Sequence, residues 1–178
     1  MGAFMRAAAV AGVAAGLVAS SAAGLVPSTL HAQEGEVRFY GPPTAVISAG
    51  VIIPPNRASM WISGTTPPVV KPDAPAGSPA RFGDTRTQAA GVLKAIETQL
   101  VAQGLTMRDV VYMRAYLVPD KTKGGKIDVA GWNAAYTEMF GTAANPTKTA
   151  RSTVGVAALV NDDFLIELEA FAIFPAAR

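Results

Sequence analysis

"TARSTVGVAALVNDDFLIELEAFAIF", Thr149 to Phe174, decides how this 178-residue chain is read. It consists of two extended runs rich in Val, Leu, Ile and Phe, joined by the polar "VNDD". Strand alternation puts Leu165, Glu167, Glu169, Phe171 and Ile173 on one face of the second run. Phe164, Ile166, Leu168, Ala170 and Ala172 occupy the other face, the one expected to pack under helices. Both glutamates therefore sit among large apolar neighbours, where an ionised carboxylate needs a partner or hydrogen bonds to offset its desolvation. A hairpin turn centred near Asn161 and Asp162 sets Glu167 opposite Val156 and Glu169 opposite Val154. Arg151 then lies about 17 Å along the strand from Val156. Each charged group thus needs another counterpart: solvent, a second subunit or a bound ligand. Spacing alone also fits solvated glutamates and an arginine that snorkels at a strand end.

Outward from this stretch, the pattern alternates strands and helices. "TAVISAGVII" (Thr44 to Ile53) and "RASMWISG" (Arg57 to Gly64) read as strands joined by the turn signal "PPN". A long Pro/Gly/Ala-rich loop follows. "TRTQ" matches a capping box, Thr85 with Gln88, and opens a helix on which Ala89, Leu93, Ile96 and Leu100 share a face beside Val101. Gly104 is its expected C-terminal cap. "DVVYMRAYLV" (Asp109 to Val118) alternates as a strand, with Val111, Met113, Ala115 and Leu117 on one face and Tyr112, Arg114 and Tyr116 on the other. A second helix starts at Asp128, with Val129, Trp132, Tyr136, Met139 and Phe140 as its apolar stripe and Gly141 at its end. The aromatic residues of that stripe are expected to serve the core. The order ββ-α-β-α-ββ predicts a two-layer α+β domain. The sheet face away from the helices carries bulky apolar groups, so another subunit is expected there.

The first 32 residues stand apart. Arg6 followed by an Ala/Val/Leu/Gly run and small residues has the pattern of a secretory signal peptide cleaved after Ala32. The rival reading is an uncleaved anchor, since Ala7 to Val26 is about long enough to span a bilayer. Cleavage predicts a periplasmic or secreted domain of 146 residues with no stable membrane insertion. Residues 33–43 read as a flexible lead-in without periodicity, and 44–178 as the domain. The only histidine, His31, falls in the segment to be lost, and the chain has no cysteine. This excludes Ser-His-Asp and Cys-His nucleophiles, Cys/His zinc sites and disulfides. Once Arg6 is lost, 14 basic side chains face 13 acidic ones, with no basic stripe interleaved by aromatics. Nucleic acid is therefore not an expected partner.

"ARSTVGVAAL…DDFLIELEAFAIF" closely resembles the C-terminal signature of the RidA family, the reactive intermediate deaminases also called YjgF proteins. "WISGT", "TQAAGVLKAIETQLVAQG", "RDVVYMRAYLV" and "WNAAYTEMFG" resemble its earlier strand, helix, strand and helix, so the likeness runs over most of Ile47 to Phe174. It implies a chorismate-mutase-like fold, a mixed sheet with two helices on one face, and a homotrimer with clefts between subunits. It also implies cofactor-free hydrolysis of 2-imino and 2-enamino acids to 2-oxo acids and ammonia, without a metal.

By that resemblance, Arg151 clamps the substrate carboxylate and Glu167 positions or deprotonates water. Ser63, Gly64 and the hydroxyl of Thr153 line the pocket, and Asn133 supports it. Glu169 is assigned a structural role. Ile47 stands where the family's tyrosine is expected, and Tyr40 could replace it only by folding over a cleft. Two alternatives remain at this level. One is an exported, non-catalytic trimer that binds small carboxylates or protects proteins. The other is a chorismate-mutase-type isomerase, for which Arg114 would be the further cation.

Overall fold

A computed structural model describes residues 35–176. The expected signal peptide lies outside the described residues. Among these, no helix is long and apolar enough to cross a membrane. The elements run β1 (Arg38–Tyr40), β2 (Gly50–Ile52), β3 (Ser59–Thr65), α1 (Thr85–Ala102), β4 (Val110–Leu117), α2 (Val129–Met139), β5 (Ala150–Gly155) and β6 (Ile166–Ile173). β3, β6, β4 and β5 form a four-stranded mixed sheet in that order. β6 is antiparallel to both neighbours, while β4 and β5 are parallel. Two helices cover one face, so the α+β fold is the one expected.

The strand pairing differs from the sequence reading in two places. β5 and β6 do not form a hairpin, because β4 lies between them. The assignment of Glu167 to Val156 and of Glu169 to Val154 is therefore wrong: Glu167 pairs with Tyr116 and Glu169 with Arg114. A parallel β4–β5 pair needs a crossover, and α2 supplies it. The ladder positions that a hairpin would have used are filled by β4. The second difference lies upstream. β2 pairs with β1, inside the stretch read as an unstructured lead-in, and β3 pairs with β6. The turn after β2 is present, with Asn56 at φ 60°, but it joins different sheets.

Both helices form where the apolar period is 3.6. Ala89, Val92, Leu93, Ile96 and Leu100 of α1 are fully buried, while Val101 lies off that face and is exposed. Asp84, rather than Thr85, is the N-cap: its carboxylate accepts from the Thr87 N–H at 2.9 Å. Gln88 does not close a capping box. Its amide donates to Gly83 O and Asp163 O, each at 3.0 Å, and accepts from Leu165 N at 2.8 Å. These bonds fix the start of α1 to the entry of β6. Gly104 ends α1 at φ 75°, a left-handed conformation that favours glycine. Asp128 caps α2 through Gly131 N at 2.9 Å.

Trp132 and Tyr136 of α2 and Phe140 just past its end are completely buried, whereas Val129, expected in the same stripe, is exposed in the first turn and Met139 is partly buried. Beneath the helices, β4 contributes Met113, Ala115 and Leu117, and β6 contributes Ile166, Leu168, Ala170 and Ala172. The alternation expected for β6 holds as far as Ala172; Ile173 is buried as well, where the strand ends.

Candidate functional site

β5 is the edge strand, and its alternation aims Arg151 and Thr153 at the helix side. The register places Arg151 beside Met113, and Met113 beside Ala170, all on the covered face. There the guanidinium meets α2. Its Nη2 donates to Asn133 Oδ1 at 2.5 Å. Its Cζ lies 4.9 Å from the centre of the Trp132 ring and 4.6 Å from that of Tyr136. Nε and Nη1 are buried and have no partner among the described residues. Burial holds the Arg151 pKa below the usual arginine value, the charge form being the one that loses hydration. Burial likewise raises the Tyr136 phenol, against the bonds it makes with Thr149. Ser48 borders this edge: Ser48 N donates to Thr149 O at 3.1 Å, which sets Ile47 against the core beside the start of β5.

The other predicted residues gather on the open face. Glu167 shares its row with Tyr116 and Val154. Between Ile62 and Thr65 the β3–β6 register shifts, which takes Ser63 and Gly64 out of the regular ladder. A Cβ on Gly64 would stand 1.8 Å from Glu167 Oε1, so only glycine lets the carboxylate lie against this backbone. Glu167 makes no ion pair among the described residues. Glu169 does: its Oε2 is 3.2 Å from Arg114 Nη1. Arg114, the cation an isomerase would have required, is thus engaged within the chain. Trp61 is 76% exposed and its ring centre lies 4.4 Å from that of Phe171. With Ser63, Arg114 and Glu169 they line a groove of about 310 Å³ on this face.

The predicted residues therefore fall into two groups. Arg151, Thr153 and Asn133 stand together, as do Glu167, Ser63 and Gly64, but the sheet separates the two groups within one chain. Tyr40 joins neither: its ring lies across Gly50 in the β1–β2 ribbon. A second cavity of about 580 Å³, between the Pro-rich loop and the loop after β4, is lined by none of the predicted residues. Sequence reasoning assigned Trp132 and Tyr136 to the core alone and missed their contact with Arg151. The signal was present in the spacing: Trp132, Asn133 and Tyr136 occupy adjacent turns of α2, opposite a strand bearing Thr149, Arg151 and Thr153.

A mixed four-stranded sheet under two helices is the fold of the Rid/YjgF proteins. The family model described as Endoribonuclease L-PSP matches residues 56–174, and the chain belongs to this family, also called YjgF/RidA. Its fold is similar to that of YyfB from Yersinia pestis, a protein of unknown function of the conserved Rid family. That likeness has 24% identity and a TM-score of 0.57, over 78% of this chain and 98% of that one. It is also similar to E. coli TdcF, whose crystal structure contains bound serine, at 24% identity and a TM-score of 0.50, over 78% of this chain and 99% of that one. No curated protein matches the chain.

Proposed function

We propose that this protein hydrolyses 2-imino and 2-enamino acids to 2-oxo acids and ammonia at clefts formed between copies of the chain, arranged as a homotrimer. The observation that carries the reading is the guanidinium of Arg151, buried with Nε and Nη1 unpartnered. A buried cation in this condition is costly unless an anion completes it. Of the five N–H groups, Asn133 takes one on Nη2, which leaves one complete two-donor fork for a carboxylate. A small amino acid bound to TdcF is in keeping with a ligand of that size.

With the carboxylate clamped, the C=N carbon adjoins it. Water adds to that carbon while Glu167 of a neighbouring copy accepts a water proton, giving a tetrahedral carbinolamine. The same carboxyl group delivers that proton to nitrogen and then relays the hydroxyl proton to it, so that the C–N bond breaks, the C=O bond forms and ammonia leaves. An enamine enters the same route after protonation at its terminal carbon. In this reading no cofactor or metal takes part. The two half-sites face opposite sides of the sheet, so a neighbouring copy is the natural source of the second. The exposed Trp61 and Phe171 pair supplies an apolar surface on which one can pack. The family's endoribonuclease description is not carried over, since the open face presents Glu167 and Glu169 rather than a basic groove for RNA.

The test uses Gln33–Arg178 and its Arg151→Ala variant. An amino-acid oxidase generates the imino acid in situ, and 2-oxo acid formation is followed against the uncatalysed rate. Acceleration by the parent alone supports the reading. Carboxylate binding by the parent with no acceleration, across several side chains, replaces it with the non-catalytic binder.

A further inference from the structure

Thr149, Arg151 and Thr153 alternate toward α2, and each is tied to a different side chain of that helix. Tyr136 Oη lies 3.0 Å from Thr149 Oγ1 and accepts from Thr149 N at 2.9 Å. Trp132 Nε1 donates to Thr153 Oγ1 at 3.3 Å. Asn133 holds Arg151 between them. The two rings meet edge to face, with centres 5.6 Å apart at 71°, and the guanidinium lies within 5 Å of both. The strand that carries the arginine therefore also anchors, two residues before and two after it, the rings that confine it.

We propose that Trp132 and Tyr136 are positioning residues for Arg151. They hold its guanidinium in one orientation, with the fork left by Asn133 kept for a planar carboxylate once the groups covering Nε and Nη1 give way. This rests on reading Arg151 as the carboxylate clamp. Packing alone would require two large rings but not their polar ends. Here both polar ends are spent on hydroxyls of the same strand, which fixes ring rotation as well as ring volume. An arginine has four freely turning side-chain bonds, and ordering it before the ligand arrives removes that entropy loss from binding. Cation–π attraction favours the charged form at this place against the effect of burial.

Tyr136→Phe and Trp132→Phe keep an aromatic ring but remove the hydrogen bond that orients it. Each variant is compared with the parent by kcat and KM on the imino acid, by thermal unfolding, and by the side-chain Nε–H resonance of Arg151 in ¹⁵N-labelled protein. The expected result is a KM raised about tenfold with kcat within about twofold. The Arg151 resonance is expected to lose its ring-current displacement and to broaden. A fall in Tm with KM and the resonance unchanged would reduce both rings to core packing and overturn the proposal. If the parent neither turns over imino acid nor binds 2-oxobutanoate, the proposed function fails. The resonance comparison still decides whether the rings orient the guanidinium.

Discussion

Arg151 and Glu167 lie on opposite faces of one sheet: Arg151 shares the row of Met113 and Ala170, and Glu167 shares that of Tyr116 and Val154. Two groups so placed cannot act on one small molecule within a single chain. A cleft that uses both must take them from different copies. The open face, on the side of Glu167, carries the exposed Trp61, which is suited to burial by a partner rather than to solvent.

Mixing two inactive proteins tests this division. Arg151→Ala retains the Glu167 half-site and Glu167→Gln retains the Arg151 half-site. Unfolded together in equal amounts and refolded, they are expected to regain about a quarter of parental activity. That is the share of interfaces in a closed ring that receive one intact half from each. Activity that stays at the level of the separate variants would place both residues outside a shared site.

Arg151→Met should separate stability from function. The substitution removes a charge whose Nε and Nη1 are buried without partners and leaves a shorter, apolar side chain. Turnover is expected to fall by at least about a hundredfold, while Tm stays at or above the parental value. A lower Tm would mean that the ring contacts and the Asn133 bond outweigh the cost of burying the charge. Circular dichroism melts beside the oxidase-coupled assay measure both.

Gly64→Ala should act through Glu167. The added methyl overlaps Oε1, and the carboxylate is the movable partner because it ends a flexible side chain. Gly64 itself is exposed. The expected outcome is a turnover lowered about tenfold or more by displacement of the base. The unfolding free energy should change by less than about 1 kcal/mol. Urea titration and steady-state kinetics decide it, and unchanged kinetics would remove Glu167 from the chemistry.

Gln88→Leu probes the junction between α1 and β6. The substitution deletes three buried hydrogen bonds and strands the Leu165 N–H and two carbonyls. Stability should fall by about 3 kcal/mol, measured by urea unfolding. A change under about 1 kcal/mol would show that solvent reaches these backbone groups and satisfies them.

Much of the molecule was legible along the chain. The helices, β4 and the buried side of β6 followed from the apolar period. Each depends on neighbours three, four or two residues away. Asp128, Gly104 and Gly141 marked helix ends for equally local reasons. Thr85 and Gln88 were misread as a capping box because an N-cap and a capping box share one sequence signature. Only the position of Asp163 and Leu165, far along the chain, draws the Gln88 amide away from the cap. Trp132 and Tyr136 were legible as core but not as neighbours of Arg151, because a helix stripe records burial and not what is buried against it.

The sequence by itself determined which residues alternate toward the helices, where the chain turns, and which family it belongs to, since those properties reside in local spacing and motif. Only the tertiary structure decided which strands are neighbours. An apolar run bounded by turns forms a hairpin or a central strand equally well until another strand competes for its hydrogen bonds. β4 takes that place between β5 and β6, burying Met113, Ala115 and Leu117 beneath both helices. That choice sets Arg151 against α2 and Glu167 on the open face, and so divides the candidate site in two.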